Sequence, residues 1–70
     1  MLNQDSPTEA IRALLFQRAQ VLNDHLLRRL ADAAGHINNK EHRAVIGALD
    51  GLEADIQTIR TLMVLMEECF

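Results

Sequence analysis

The spacing of large apolar residues in the second half of the chain restricts the fold more than any other feature. These residues recur at alternating intervals of four and three positions over the last 26 residues of the chain. They are Val45, Leu49, Leu52, Ile56, Ile59, Met63, Met66 and Phe70. Such spacing keeps one stripe of a helix facing a neighbouring helix, as in the seam of a coiled coil. The pattern therefore predicts a helix over about residues 39–68.

The first half of the chain carries the signals of a second long helix. Ser6, Pro7 and Glu9 form a helix start, in which Ser6 caps, Pro7 suits the first turn and Glu9 closes a capping box. No Gly or Pro follows until Gly35, and the intervening Ala, Leu, Arg and Gln residues are good helix formers. Gly35 suits the left-handed position that commonly follows the end of a helix. We expect a helix over about residues 7–34.

The two helices are joined by a short turn. We expect it at residues 35–38, with Ile37 tucked against the helix ends and Asn38 and Glu41 capping the second helix. A turn this short makes the two helices antiparallel neighbours. The predicted fold is all-α, a single domain of residues 1–70 that forms an antiparallel two-helix hairpin. It completes a helical bundle or coiled coil with a partner or with a second copy.

One stripe on each helix is predicted to form the hairpin core. That core consists of Leu15, Leu22, Leu26, Leu30, Val45, Leu49, Leu52, Ile56, Ile59 and Met63. In the first helix the stripe contains an extra step of four, so it drifts around the helix axis. Gly47 and Gly51 each cost about 1 kcal/mol of helix propensity relative to Ala. Close packing of the helices beside the turn explains them best, and a flexible start of the second helix is the alternative.

Further large apolar residues lie outside this stripe. A lone hairpin covers only the facing side of each helix, and uncovered apolar area costs roughly 25 cal/mol per Å². An apolar arc this wide is typical of an association surface. The predicted protein interface consists of Phe16, Leu27, Ile46, Leu62, Val64, Leu65 and Met66.

Composition excludes several classes of function. Cys69 is the single cysteine, so no disulfide forms within the chain, and one thiol suits a reducing, cytoplasmic location. The N-terminus has no secretory signal, and the longest apolar run, five residues, is far short of the ~20 of a membrane span. The net charge of −3 and the absence of Trp and Tyr disfavour nucleic-acid binding.

No site for chemistry is expected. His36, Glu41 and His42 match no zinc signature, and the glycines do not form a phosphate loop. Ser6, the only serine, serves best as a cap. The sequence therefore predicts no enzyme activity, no metal, no cofactor and no small-molecule substrate.

Residues 41–66, EHRAVIGALDGLEADIQTIRTLMVLM, carry a resemblance to a known family. Leu52 and Glu53, followed by Ala54, Ile56 and Ile59 at helical spacing, resemble a helix of the small needle co-chaperones of type III secretion, the YscE/PscE-like proteins. The likeness covers about a third of the chain. It implies a bacterial protein whose partners are a helical-repeat chaperone and the needle subunit, and which covers apolar helix faces without performing chemistry.

Three functions remain open at this point. The first is a small helical chaperone or adaptor that buries an apolar helix face against a partner. The second is a homodimeric four-helix bundle with a regulatory role, for example a phage-encoded protein that inhibits a host factor. The third is a nucleic-acid-binding hairpin resembling plasmid copy-number regulators, and it would depend on Arg12, Arg18, Arg28 and Arg29.

Overall fold

The computed structural model describes residues 7–69, which form three helices and no strand. These are α1 (Pro7–Asn38), α2 (His42–Leu49) and α3 (Leu52–Cys69). The all-α prediction is confirmed. Ser6 and Phe70, which the sequence placed in the first cap and at the end of the seam, lie outside the described residues.

The first helix ends four residues later than predicted. Gly35 lies inside α1, and the left-handed residue is Lys40, with φ 62°. The Glu41 amide donates to the His36 carbonyl at 2.9 Å, and the Lys40 amide donates to that of Ile37 at 3.0 Å. These two bonds form a Schellman motif. The predicted turn at 35–38 is therefore wrong, because the chain closes this motif around a lysine rather than around the glycine.

Residues around the turn also differ from the sequence-based expectation. Asn38 is the last residue of α1 rather than the cap of the next helix. Glu41 stands at the N-cap of α2 without a side-chain capping bond. Its carboxylate instead lies 2.8 Å from His36 Nδ1. Ile37 is 61% exposed, so it is not tucked against the helix ends.

The second predicted helix is broken in two. Asp50 is extended, with φ −65° and ψ 131°, and Gly51 is left-handed, with φ 82°. A continuous helix over 39–68 was therefore wrong, because Gly51 adopts a conformation that other residues rarely reach. At Gly47 an added Cβ would meet nothing within 4 Å. Close packing of helices does not explain that glycine.

An arginine of α1 holds the end of α2. Arg29 donates from Nε to the Ala48 carbonyl at 3.1 Å, and from Nη2 to the carbonyls of Gly47 at 3.3 Å and Asp50 at 2.5 Å. The last carbonyls of a helix lack partners within the helix. The guanidinium supplies partners to them and thereby fixes α2 against α1.

The core lies between α1 and the other two helices, both of which contact it. Among residues 7–69 the buried apolar side chains are Leu22, Leu26, Ala33, Leu52 and Met66. Of the other predicted core residues, Leu15, Val45, Ile59 and Met63 are half-buried.

Three residues predicted for the core are exposed instead: Leu30 (48%), Leu49 (41%) and Ile56 (48%). Arg29 contacts Asp50, and Leu30 is the next residue of α1. Leu30 therefore lies level with the break, where Gly51 offers no side chain to cover it. Leu49 is the last residue of α2. At about 100° per residue Ile56 lies roughly 60° from the buried line of α3. The break thus removes the continuous seam that the spacing predicted.

Candidate protein interface

Most residues predicted for the interface are exposed. Phe16, Leu27, Ile46, Val64 and Leu65 each show between 43% and 67% of their surface. Leu62 is half-buried. Met66 is 8% exposed, so its assignment to the interface was wrong. It belongs to the core because it points to the same side of α3 as Leu52.

Several exposed apolar residues were not predicted for the interface. Ile11, Leu14 and Val21 are each about half exposed or more, as are Ile37, Leu30 and Ile56. Leu14 and Val21 are seven positions apart, a spacing that places them on one line of α1. That spacing was a usable signal, and the stripe through Leu22 and Leu26 obscured it.

The exposed side chains of α1 lie on both sides of its buried line. At about 100° per residue, Phe16, Leu27 and Leu30 are turned roughly 60–120° to one side of Leu22 and Leu26. By the same measure Ile11, Leu14 and Val21 are turned roughly 40–120° to the other side. The two groups therefore point away from the core in opposite directions.

The α3 helix continues both surfaces. A cleft of about 400 Å³ is lined by Arg12 and Phe16 of α1 together with Val64 and Glu67 of α3, with Met63 and Met66 at its base. The Phe16 side of α1 and the Val64 side of α3 thus share one surface. We call Phe16, Leu27, Leu30, Ile56 and Val64 the Phe16 face.

The opposite surface consists of Ile11, Leu14, Val21 and Leu65, which we call the Leu14 face. Arg18 lies among these side chains, since it is four positions from Leu14 and three from Val21. On the same side, His25 Nδ1 lies 3.8 Å from Asp55 Oδ2. Arginine is enriched in protein interfaces, where its charged group pairs while its stem packs.

A third apolar surface, in the form of a depression, lies at the turn. Ile37, Val45 and Ile46 line a cavity of about 510 Å³ together with Lys40, Glu41 and His42. Ile37 comes from α1, before the Schellman motif, and Val45 and Ile46 come from α2, after it. The geometry of the turn therefore determines the shape of this cavity. Ile46, predicted for the interface, lies here rather than on either face.

A pair of titratable side chains lies at the turn. His36 contacts Glu41, whereas no group of three or more His, Cys, Asp or Glu within residues 7–69 is placed to hold a metal ion. Cys69 is a free, exposed thiol. No helix among the described residues has the length and apolar character needed to cross a membrane.

Comparison of the chain with protein-family models, with curated proteins and with solved structures finds no match.

Proposed function

We propose that this chain is a non-catalytic protein-binding module, an antiparallel α-hairpin that acts as a small helical chaperone or adaptor in the cytoplasm. The observation that carries the proposal is the excess of exposed over buried large apolar side chains. Two apolar faces flank a core of five buried residues. At roughly 25 cal/mol per Å², covering such faces with a partner stabilises both proteins.

Contacts along α1 support the antiparallel arrangement. Arg29, late in α1, bonds to the end of α2, and His25 lies against Asp55 near the start of α3. Arg12 and Phe16, near the start of α1, share a cleft with Val64 and Glu67 near the end of α3. Residues late in α1 thus contact the end of α2 and the start of α3, and residues early in α1 contact the end of α3, as an antiparallel hairpin requires.

The Leu14 face is the proposed binding surface for the partner. Leu14 and Val21 repeat at a heptad interval beside Leu65, which suits an apolar stripe on a partner helix. Arg18, between them, favours a partner helix that presents a carboxylate beside its apolar stripe. The lone thiol of Cys69 supports the cytoplasm as the compartment, because unpaired cysteines suit reducing conditions.

A capture experiment tests this function. The tagged chain is expressed in cells of its source organism, cross-linked, and its bound proteins are identified by mass spectrometry. Wild type is compared with Leu65→Asp and with the control Asn39→Asp, which adds the same charge at an exposed position of the turn, outside both apolar faces. We expect a protein bound by wild type and control and lost from Leu65→Asp. Identical sets of bound proteins in all three samples would contradict the proposal.

The resemblance to needle co-chaperones selects the first partners for a direct test. The chain is co-expressed with a needle subunit and its helical-repeat chaperone, and the complexes are separated by size. A stable complex that depends on Leu65 supports a role as a needle co-chaperone. Failure to assemble, together with a different captured partner, assigns the same binding surface to another pathway.

A further inference from the structure

Two exposed faces on so small a chain raise the question of what covers the one that the partner does not use. The Phe16 face consists of five large apolar side chains, each between 48% and 57% exposed. An exposed apolar surface of this kind marks an association site. A second copy presents the same face, so two copies can cover it reciprocally.

We propose that the Phe16 face joins two copies of this chain in a dimer. The two hairpins stack with their corresponding ends together, so that α1 of each copy lies over α3 of the other. The proposal deepens the proposed function, because it leaves the Leu14 face of each copy free for the partner protein. It rests on the hairpin arrangement but not on the identity of that partner.

The arrangement of charges selects this orientation. Arg12 and Glu67 border the Phe16 face at the same level, because both line one cleft. When corresponding ends are stacked, Arg12 of each copy lies over Glu67 of the other, which gives two symmetric pairs of opposite charge. In the same stack Phe16 lies over Val64 of the other copy.

The reversed orientation has poorer electrostatic complementarity. Stacking opposite ends places α3 over α3, so the two Arg60 side chains near the middle of the face approach each other. Glu67 then lies level with the other copy's turn end and has no basic group of the Phe16 face opposite it. Like charges brought together oppose association, so this orientation is disfavoured.

The first test is the mass in solution of the full chain, measured by light scattering across micromolar concentrations. We expect wild type and Leu14→Asp to be dimers and Phe16→Asp to be a monomer that keeps its helical circular dichroism. Phe16 and Leu14 are both more than half exposed on opposite faces, so the two variants compare the effect of a charge on each face. A monomeric wild type, or a dimer lost in Leu14→Asp and kept in Phe16→Asp, overturns the proposal.

The second test exchanges the charges between copies. Arg12→Glu and Glu67→Arg alone each place like charges opposite one another, and we expect each to weaken self-association at least about tenfold. Mixing the two variants restores both intermolecular pairs, whereas within each chain the like charges remain. We therefore expect mixed dimers to form preferentially. Equal affinity of the mixture and the separate variants overturns the proposed pairing.

A distance measurement separates the two orientations directly. Cys69 is the only cysteine and is exposed, so a spin label on it reports the separation of the two α3 ends. With corresponding ends together, helix spacings of about 10 Å place the two Cys69 Cα atoms roughly 15 Å apart. With opposite ends together, the residues from Arg60 to Cys69 in each copy, at about 1.5 Å per residue, separate these Cα atoms by roughly 30 Å. The longer distance would contradict the proposed dimer even if the protein is dimeric.

Failure of this proposal is distinguishable from failure of the proposed function. A monomer that still captures a partner through Leu65 retains the function and assigns the Phe16 face to a different protein. A dimer whose captured proteins do not depend on Leu65 retains the dimer and removes the adaptor role.

Discussion

Two backbone positions show how local conformation determines what a residue contributes here. Gly35 lies within α1, and an added Cβ there would meet nothing within 4 Å. Lys40 occupies a left-handed conformation that favours glycine. Each residue type thus stands where the other is better suited, and both positions are open to stabilising substitutions.

Gly35→Ala is expected to raise the free energy of unfolding by about 0.5–1 kcal/mol, because alanine has the higher helix propensity. Urea denaturation followed by circular dichroism measures the change. Gly51→Ala is the matched control, and we expect it to destabilise the protein because φ at Gly51 is 82°. Destabilisation by Gly35→Ala would indicate a contact of that surface with another molecule.

Lys40→Gly is expected to stabilise the protein by about 0.5–1 kcal/mol, since glycine adopts a positive φ without a steric penalty. The same denaturation assay measures it, with Lys40→Ala as the variant that removes the side chain but keeps the Cβ. A lower stability of Lys40→Gly than of Lys40→Ala would contradict the left-handed turn.

At the scale of elements, α2 depends on α1 for its stability. An isolated helix of eight residues is unstable in water, because nucleation is unfavourable and few bonds follow it. Arg29 donates three hydrogen bonds to carbonyls at the C-terminal end of α2. These bonds supply stabilisation that residues 42–49 lack on their own. Side-chain bonds from α1 therefore decide whether residues 42–49 are helical.

Arg29→Ala is expected to lower the free energy of unfolding by about 1–2 kcal/mol, less than fully buried charged bonds contribute because part of the site is exposed. Amide hydrogen exchange in α2 is expected to accelerate more than exchange in the middle of α1. Arg28→Ala serves as the control, because Arg28 is exposed and neighbours Arg29. Equal exchange in both variants would show that the Arg29 bonds do not hold α2.

The helices themselves were predictable from sequence, and their interruptions were not. Propensity and the repeat of apolar residues gave the all-α fold, and Leu22, Leu26 and Leu52 lie in the buried stripe. Two residues at the turn and break set the boundaries: Lys40 took the left-handed position expected of Gly35, and Gly51 ended α2. A single left-handed residue depends on competing backbone hydrogen bonds, which apolar spacing does not report.

The same limits apply to the candidate interface. Apolar residues outside the seam indicated Phe16, Leu27 and Val64, which are exposed. Leu30 joined the Phe16 face because it lies level with the break at Gly51, and Ile56 joined it because it lies roughly 60° from the buried line of α3. Spacing alone could not reveal this, since it assumed one uninterrupted helix opposite α1.

At the scale of the whole molecule, the proposed dimer would couple stability to association, because the core of one copy is small. A dimer stabilises the folded state by mass action, so its thermal midpoint rises with protein concentration. We expect this rise in wild type and not in Phe16→Asp, measured by circular dichroism over a hundredfold range of concentration. A midpoint independent of concentration in wild type would contradict a dimer coupled to folding.

The two left-handed residues, Lys40 and Gly51, bracket α2 on either side. Rotation about these two points would move residues 42–49 as one piece, but the Arg29 hydrogen bonds to the end of α2 oppose it. Loss of these bonds is therefore expected to change the depression formed by Ile37 and Ile46 before it disturbs the buried side chains.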